Sequence, residues 1–215
     1  MSKAQVDFFA DVSCPWCYVG WEALKRAAEA RPEVKLSVAW RTFLLQPDMP
    51  ADGYDRKEYF KERFGENSER FAASRIALEK LAGEAQAPIN LDAATRVPST
   101  LNAHRLIHWA ANDGAAEGVI DMIFAAYFVH GRDIGDVETL VDVAGKCGLK
   151  GDHIRVLLAG NTDRELVLSL HVAAAKVGIT GVPVAVFNRK SALVGAQSPS
   201  VYGQALDGTL STTAH

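Results

Sequence analysis

The chain has 215 residues, 48% of them hydrophobic and 23% charged, and a formal net charge of −3. That length buries a full core as one domain or as a domain with a large insertion, and the slight acidity argues against nucleic acid or an anionic membrane as the main partner. Three cysteines do not make a disulfide framework, and no apolar run approaches a membrane span.

The first residues, Met1-Ser2-Lys3-Ala4-Gln5-Val6, pass directly into a strand with no apolar export segment ahead of it, so a cytoplasmic protein is expected. Val6 to Val12 alternates as a buried strand does, and the helix that follows sets Cys17, Trp21, Leu24 and Ala28 on one face. Val34 to Leu45 reads as a second strand, broken by Gln46-Pro47-Asp48-Met49-Pro50. From there to about residue 160 every periodic segment is helical. Residues 55–64 and 67–85 are charged amphipathic stretches divided by Gly65. Ser99 or Thr100 can cap a helix with the stripe Ala103, Leu106, Ile107 and Ala110. Residues 117–129 are apolar nearly all round and should be buried. Val137, Leu140, Val141 and Ala144 form another stripe, ended by Gly148, and Ile154, Leu157 and Leu158 mark a short helix.

Thr162-Asp163-Arg164-Glu165 has the form of a capping box. The helix it would open has Leu166, Leu170, Ala173, Ala174 and Val177 on its inward stripe and Gly178 at its end. Strands return at Val182 to Phe187 and Ala192 to Val194, then a last helix over Ser200 to Leu206 and a frayed tail from Gly208. The order is strand, helix, strand, a helical block, then helix, strand, strand, helix. Two halves of an α/β layer, residues 1–47 and 161–215, split by an all-helical insert over 48–160, fit it best.

The chemistry is concentrated in Cys14-Pro15-Trp16-Cys17. Cys14 falls at a helix N-terminus, where unpaired amides and the positive dipole end favour a thiolate. Pro15 takes the first helical position, where its missing N–H costs nothing. Cys17, one turn on, points toward the core. One exposed, acidified sulfur and one sheltered sulfur are what reversible disulfide exchange requires. A zinc site would need two more ligands near the pair, and the third cysteine, Cys147, is far away on an apolar stripe, where it reads as a small buried residue. His104 and His108 lie one turn apart but lack a third ligand at a suitable spacing, so no metal is expected. Asp7 and Asp11 read as solvated strand-end carboxylates, with a general base for Cys17 as the alternative. Trp16, between the cysteines, is hard to bury and suits an unfolded peptide or an aromatic small molecule.

The layout and its motifs resemble the DsbA-like branch of the thioredoxin superfamily, within it the FrnE-type subgroup, related to 2-hydroxychromene-2-carboxylate isomerase and kappa-class glutathione transferase. Residues 11–20 (Asp-Val-Ser-Cys-Pro-Trp-Cys-Tyr-Val-Gly), Gln46-Pro47-Asp48, Thr100 to Leu106, Gly178 to Pro183 and Gly195-Ala196-Gln197 carry the likeness. Ser99 stands where the family usually has Asn. The resemblance implies a thioredoxin fold interrupted by a large all-helical insertion and a cis Pro183 opposite the cysteines. Val182 would then have a backbone free to pair with a bound peptide or glutathione. It implies a groove floored by Cys14, Trp16 and Pro183 and walled by Ser99 and His104. The isomerases and transferases of this branch carry Ser where Cys14 stands, so the Cys14/Cys17 pair matches the oxidoreductase pattern.

The implied function is a thiol–disulfide oxidoreductase or isomerase acting on a disulfide-containing protein or a small thiol. It needs no tightly bound cofactor beyond its redox-active Cys14–Cys17 disulfide, with glutathione as a co-substrate and a homodimer both open. The alternative is a glutathione-dependent isomerase or transferase for an aromatic small molecule.

Overall fold

The computed structural model describes residues 2–65 and 69–211, so the expected start of a helix at residue 67 lies outside the described residues. Strand β1 (Ser2–Ala10) is the centre of the molecule, and its Ala4, Val6, Phe8 and Ala10 are buried. It pairs in parallel with β2 (Val34–Thr42), with Phe8 opposite Trp40. Parallel neighbours need a crossover, which helix α1 (Pro15–Glu29) supplies.

Both opening strands end earlier than their apolar runs suggest, because side chains replace the ladder. Leu44 N donates to His171 Nδ1 at 3.1 Å and Leu45 N to Asp11 Oδ2 at 2.7 Å. On its other edge β1 pairs antiparallel with β5 (Val184–Phe187), which pairs antiparallel with β6 (Ser191–Val194), giving the order β2-β1-β5-β6.

Between β2 and the second half of the sheet lie α2 (Arg56–Phe64), α3 (Glu69–Ala85), α4 (Leu101–Asn112), α5 (Ala116–Phe124), α6 (Val137–Lys146) and α7 (Gly151–Ala159). Helix α5 runs on as a π-helical turn over Ala125–Val129, in which Ala126, Tyr127 and Phe128 are buried. The block is not wholly helical. β3 (Tyr54–Asp55) pairs antiparallel with β4 (Arg96–Val97), clipping together the two ends of the segment that holds α2 and α3. Two-residue strands leave no periodicity to read in a sequence.

The block is tied to α1 by aromatic packing. Tyr18 stacks on Phe128 with ring centroids 5.5 Å apart and donates its hydroxyl to Pro88 O at 2.9 Å. Trp21 packs on Phe8 and donates Nε1 to Asp121 Oδ1 at 2.6 Å. Helix α8 (Arg164–Lys176) lies against β2 and α4, and α9 (Pro199–Ser211) against α1, β1 and β5. Helix α9 extends past Gly208, where the sequence suggests fraying.

Two expectations for α8 fail together. Thr162 does not cap it; the N-cap is Asp163, in a left-handed conformation with φ 56°, and its carboxylate accepts from Trp109 Nε1 at 2.8 Å instead of from the helix amides. The inward face also differs from the expected stripe. Val167 and Ala174 turn inward, while Leu166, Leu170, Ala173 and Val177 face outward.

Candidate active site

The chain leaves β1 at Ala10 and turns through Asp11 to Cys14, whose amide donates to Asp11 O at 3.1 Å. Cys14 is the N-cap of α1, Pro15 follows in the first turn, and the Cys14 carbonyl accepts the first helical bond from Tyr18 N at 3.1 Å. No side chain caps this end, so the free amides and the dipole act on Cys14 itself. Cys14 is only 5% exposed, a correction to the expected open sulfur, and Cys17 is fully enclosed. Both are free thiols. Burial pushes the Cys17 pKa well above its ordinary value, and its contact with Cys14 pushes it in the same direction. A sulfur in that setting stays protonated until the chemistry demands otherwise.

Opposite the cysteines, the Val182–Pro183 peptide bond is cis, and Cys14 Sγ lies 4.0 Å from Val182 O. Val182 stands just ahead of β5, so its peptide is not part of the sheet ladder. Gly20 lets α1 come this close. A Cβ there would stand 3.2 Å from Tyr202 Oη and 3.4 Å from Pro183 Cγ.

Asp11 lies beneath the pair, and at 1% exposed it is not the solvated strand-end group expected. It accepts from Leu45 N at 2.7 Å, Ser13 N at 3.1 Å and Thr100 Oγ1 at 3.3 Å. His104 Nε2 stands 3.7 Å away. Burial alone would raise the Asp11 pKa; His104 and the amides of Leu45 and Ser13 outweigh it and hold the carboxyl below its ordinary value. His104 Nδ1 accepts from Trp40 Nε1 at 3.3 Å, so a proton on the neutral ring sits on Nε2, facing Asp11.

His104 is therefore not a groove wall. It is fully buried against Trp40 and Asp11, behind the site. Ser99 is half-buried and does not line the cleft beside the cysteines. That cleft, about 550 Å³, opens between Ser13, Pro15 and Trp16 on one side and α2 and α3 on the other, where Phe60, Phe71 and Leu78 make it apolar. Lys57 stands on its rim, as does Arg75, held by Asp92 through paired bonds of 2.8 and 2.7 Å. The wall escaped sequence reading because α2 and α3 look like ordinary solvated helices; only Phe60 and Phe71 within charged stretches signalled it. Cys147 ends α6 half-buried, remote from the pair. Among the described residues no group of three His, Cys, Asp or Glu side chains could hold a metal, and no helix is long and apolar enough to cross a membrane.

A mixed sheet, a Cys-x-x-Cys pair at the N-terminus of its crossover helix and a facing cis proline define a thioredoxin-fold protein with a large helical insertion. The chain belongs to the DSBA-like thioredoxin domain family, which it matches over residues 5–207. Among solved structures it is similar to the "probable DsbA oxidoreductase SCO1869" of Streptomyces coelicolor, at 29% identity and a TM-score of 0.86, covering 97% of this chain and 90% of that one. It shares its fold with 2-hydroxychromene-2-carboxylate isomerase, at 17% identity and a TM-score of 0.70 over 98% of both chains. The same holds for the cytosolic disulfide reductase DsbM of Pseudomonas aeruginosa with GSH, at 18% identity and a TM-score of 0.68, covering 96% and 99%. These likenesses agree with the DSBA-like family and with its fold.

Proposed function

We propose that the protein exchanges disulfides through Cys14 and Cys17 in the cytoplasm, on a protein or small-molecule disulfide. The observation that carries this reading is the pairing of a shallow Cys14, at an uncapped helix end and 4.0 Å from Val182 O, with an enclosed Cys17 one turn behind it. The Cys14 thiolate attacks one sulfur of the substrate disulfide, forms a mixed disulfide and expels the other sulfur as a thiolate, which takes up a proton. Cys17 then gives up its proton and attacks Cys14 Sγ. The second substrate thiol leaves, and the protein holds a Cys14–Cys17 disulfide. Two electrons have passed to the substrate, and a small thiol such as glutathione returns them. Run backwards, the same steps oxidise or rearrange a substrate. Val182, outside the ladder and beside Pro183, supplies backbone against which an extended substrate can align.

Insulin reduction by wild type and Cys14→Ser tests this. The variant should be inactive, and Cys17→Ser should accumulate mixed disulfides; equal activity in wild type and Cys14→Ser removes Cys14 from the mechanism. The apolar cleft beside Trp16 favours a second reading, a glutathione-dependent isomerase or transferase for an aromatic molecule. Calorimetry on the reduced protein with millimolar glutathione separates the two, since that reading requires binding.

A further inference from the structure

Helix α8 carries an apolar row on its outer surface. Leu166 and Leu170 are each 38% exposed and Val177 is 74% exposed, with the exposed Ala173 completing the row. These residues recur at helical intervals and so lie along one line. The inward face of the helix, with Val167 and Ala174 buried, is distinct from this row and already occupied. Scattered exposed apolar residues need no explanation, but a contiguous row does.

The row selects its own occupant. Its intervals of four, three and four residues read the same from either end. A second α8 laid across it in the opposite direction puts Leu166 against the partner's Val177 and Leu170 against the partner's Ala173, each contact occurring twice. Large thus meets small at the middle, where two helices must approach closely. The charges obey the same symmetry. Glu165 in the first turn and Lys176 in the last lie along one flank of the row, and neither has an ion-pair partner among the described residues. An antiparallel two-fold arrangement brings the same flank of both copies together and sets Glu165 against the partner's Lys176 at both ends, whereas a parallel one puts these flanks on opposite sides of the contact and leaves the charges unmatched.

We propose that the chain forms an isologous homodimer through α8, antiparallel about a two-fold axis near the middle of the helix. Thirteen residues give a contact about 20 Å long, at the small end of specific interfaces, so the dimer is reversible and concentration-dependent. No residue of α8 lines the cleft beside Trp16, and both copies keep their sites open. The charge pairs set the direction of pairing more than its strength.

Sedimentation equilibrium of the full chain, with reductant present to exclude intermolecular disulfides, reads this directly. The mass should rise with concentration from 23.2 kDa toward twice that value. Leu170→Glu should hold it at the monomer mass throughout, with an unchanged circular dichroism spectrum. Glu165→Lys and Lys176→Glu should each raise the dissociation constant several-fold, and the double exchange should restore it. A monomer at every concentration, or a dimer indifferent to Leu170→Glu, overturns the proposal. Failure of the double exchange to restore association overturns the antiparallel pairing.

Discussion

At the scale of single residues, Asp11 and Cys17 form an opposed pair. Asp11 is kept ionised out of water by donors from three separate segments, at Ser13, Leu45 and Thr100. Its charge adds to the burial that keeps Cys17 protonated. Such a carboxylate can act in two ways during resolution. If it only repels, Asp11→Asn lets Cys17 ionise more readily and resolution speeds up. If it accepts the Cys17 proton as the sulfur attacks, the same change slows resolution. Proton transfer to a placed base contributes about 100-fold or more, which exceeds the electrostatic gain from removing one charge. We therefore expect Asp11→Asn to slow release of substrate from the mixed disulfide by about 100-fold. The reaction of Cys14 with a small alkylating reagent should be nearly unchanged. Stopped-flow release of a thiol from a preformed mixed disulfide checks the sign.

At the scale of elements, Arg105 shows how the helical block is fastened. It is 2% exposed, and its guanidinium donates to Leu157 O at 2.6 Å, Thr162 O at 2.7 Å, Gly160 O at 2.8 Å and Leu158 O at 3.3 Å. These are the carbonyls that the end of α7 and the turn into α8 leave unpaired. Arg105→Met keeps the volume and orphans them together, a loss of about 3–5 kcal/mol. Against a total stability of about 5–15 kcal/mol, the variant should unfold at a much lower urea concentration while its folded fraction still reacts through Cys14.

The same elements show what the sequence can convey. The cysteine pair, its proline and the strand ahead of it were legible because a helix start is a local event, written in adjacent residues. So was α4, whose stripe is buried as its periodicity requires; in α6 Leu140 and Ala144 are buried but Val137 and Val141 only half-buried, and of the stretch over 117–129 Glu117 and Gly118 are exposed. The face of α8 was not legible, because the side that is covered is chosen by packing against β2 and α4, elements distant in the chain. Nor was the depth of His104 and Asp11, since Thr100, Trp40 and Leu45 enclose them from elements distant in the chain.

At the scale of the whole molecule, the enclosed thiol links redox state to stability. The unfolded chain loses the Cys17 proton at the ordinary thiol pKa, whereas the folded protein holds it to a higher pH. Above that ordinary value the unfolded state gains and the folded state does not, so stability falls as pH rises toward the folded pKa; below it the contribution is complete. Reduced wild type should therefore lose urea resistance through the alkaline range more steeply than Cys17→Ala, as midpoints across a pH series will show.

The two-residue clip between Tyr54–Asp55 and Arg96–Val97 gives the molecule a modular plan. Chain entering at 54 returns at 97, so α2, α3 and nearly all of the cleft wall form one loop with its ends fastened together. The segment touches the reactive helix at few polar points, among them the Tyr18 bond to Pro88 O. Exchange of residues 56–95 for another segment would thus alter the cleft, provided the replacement keeps the apolar face of α3 that packs against α1 and the core around Cys14 and Cys17. What the cleft admits is therefore written in one stretch of chain, closed at its base and joined to the cysteine helix only by packing and a few polar contacts.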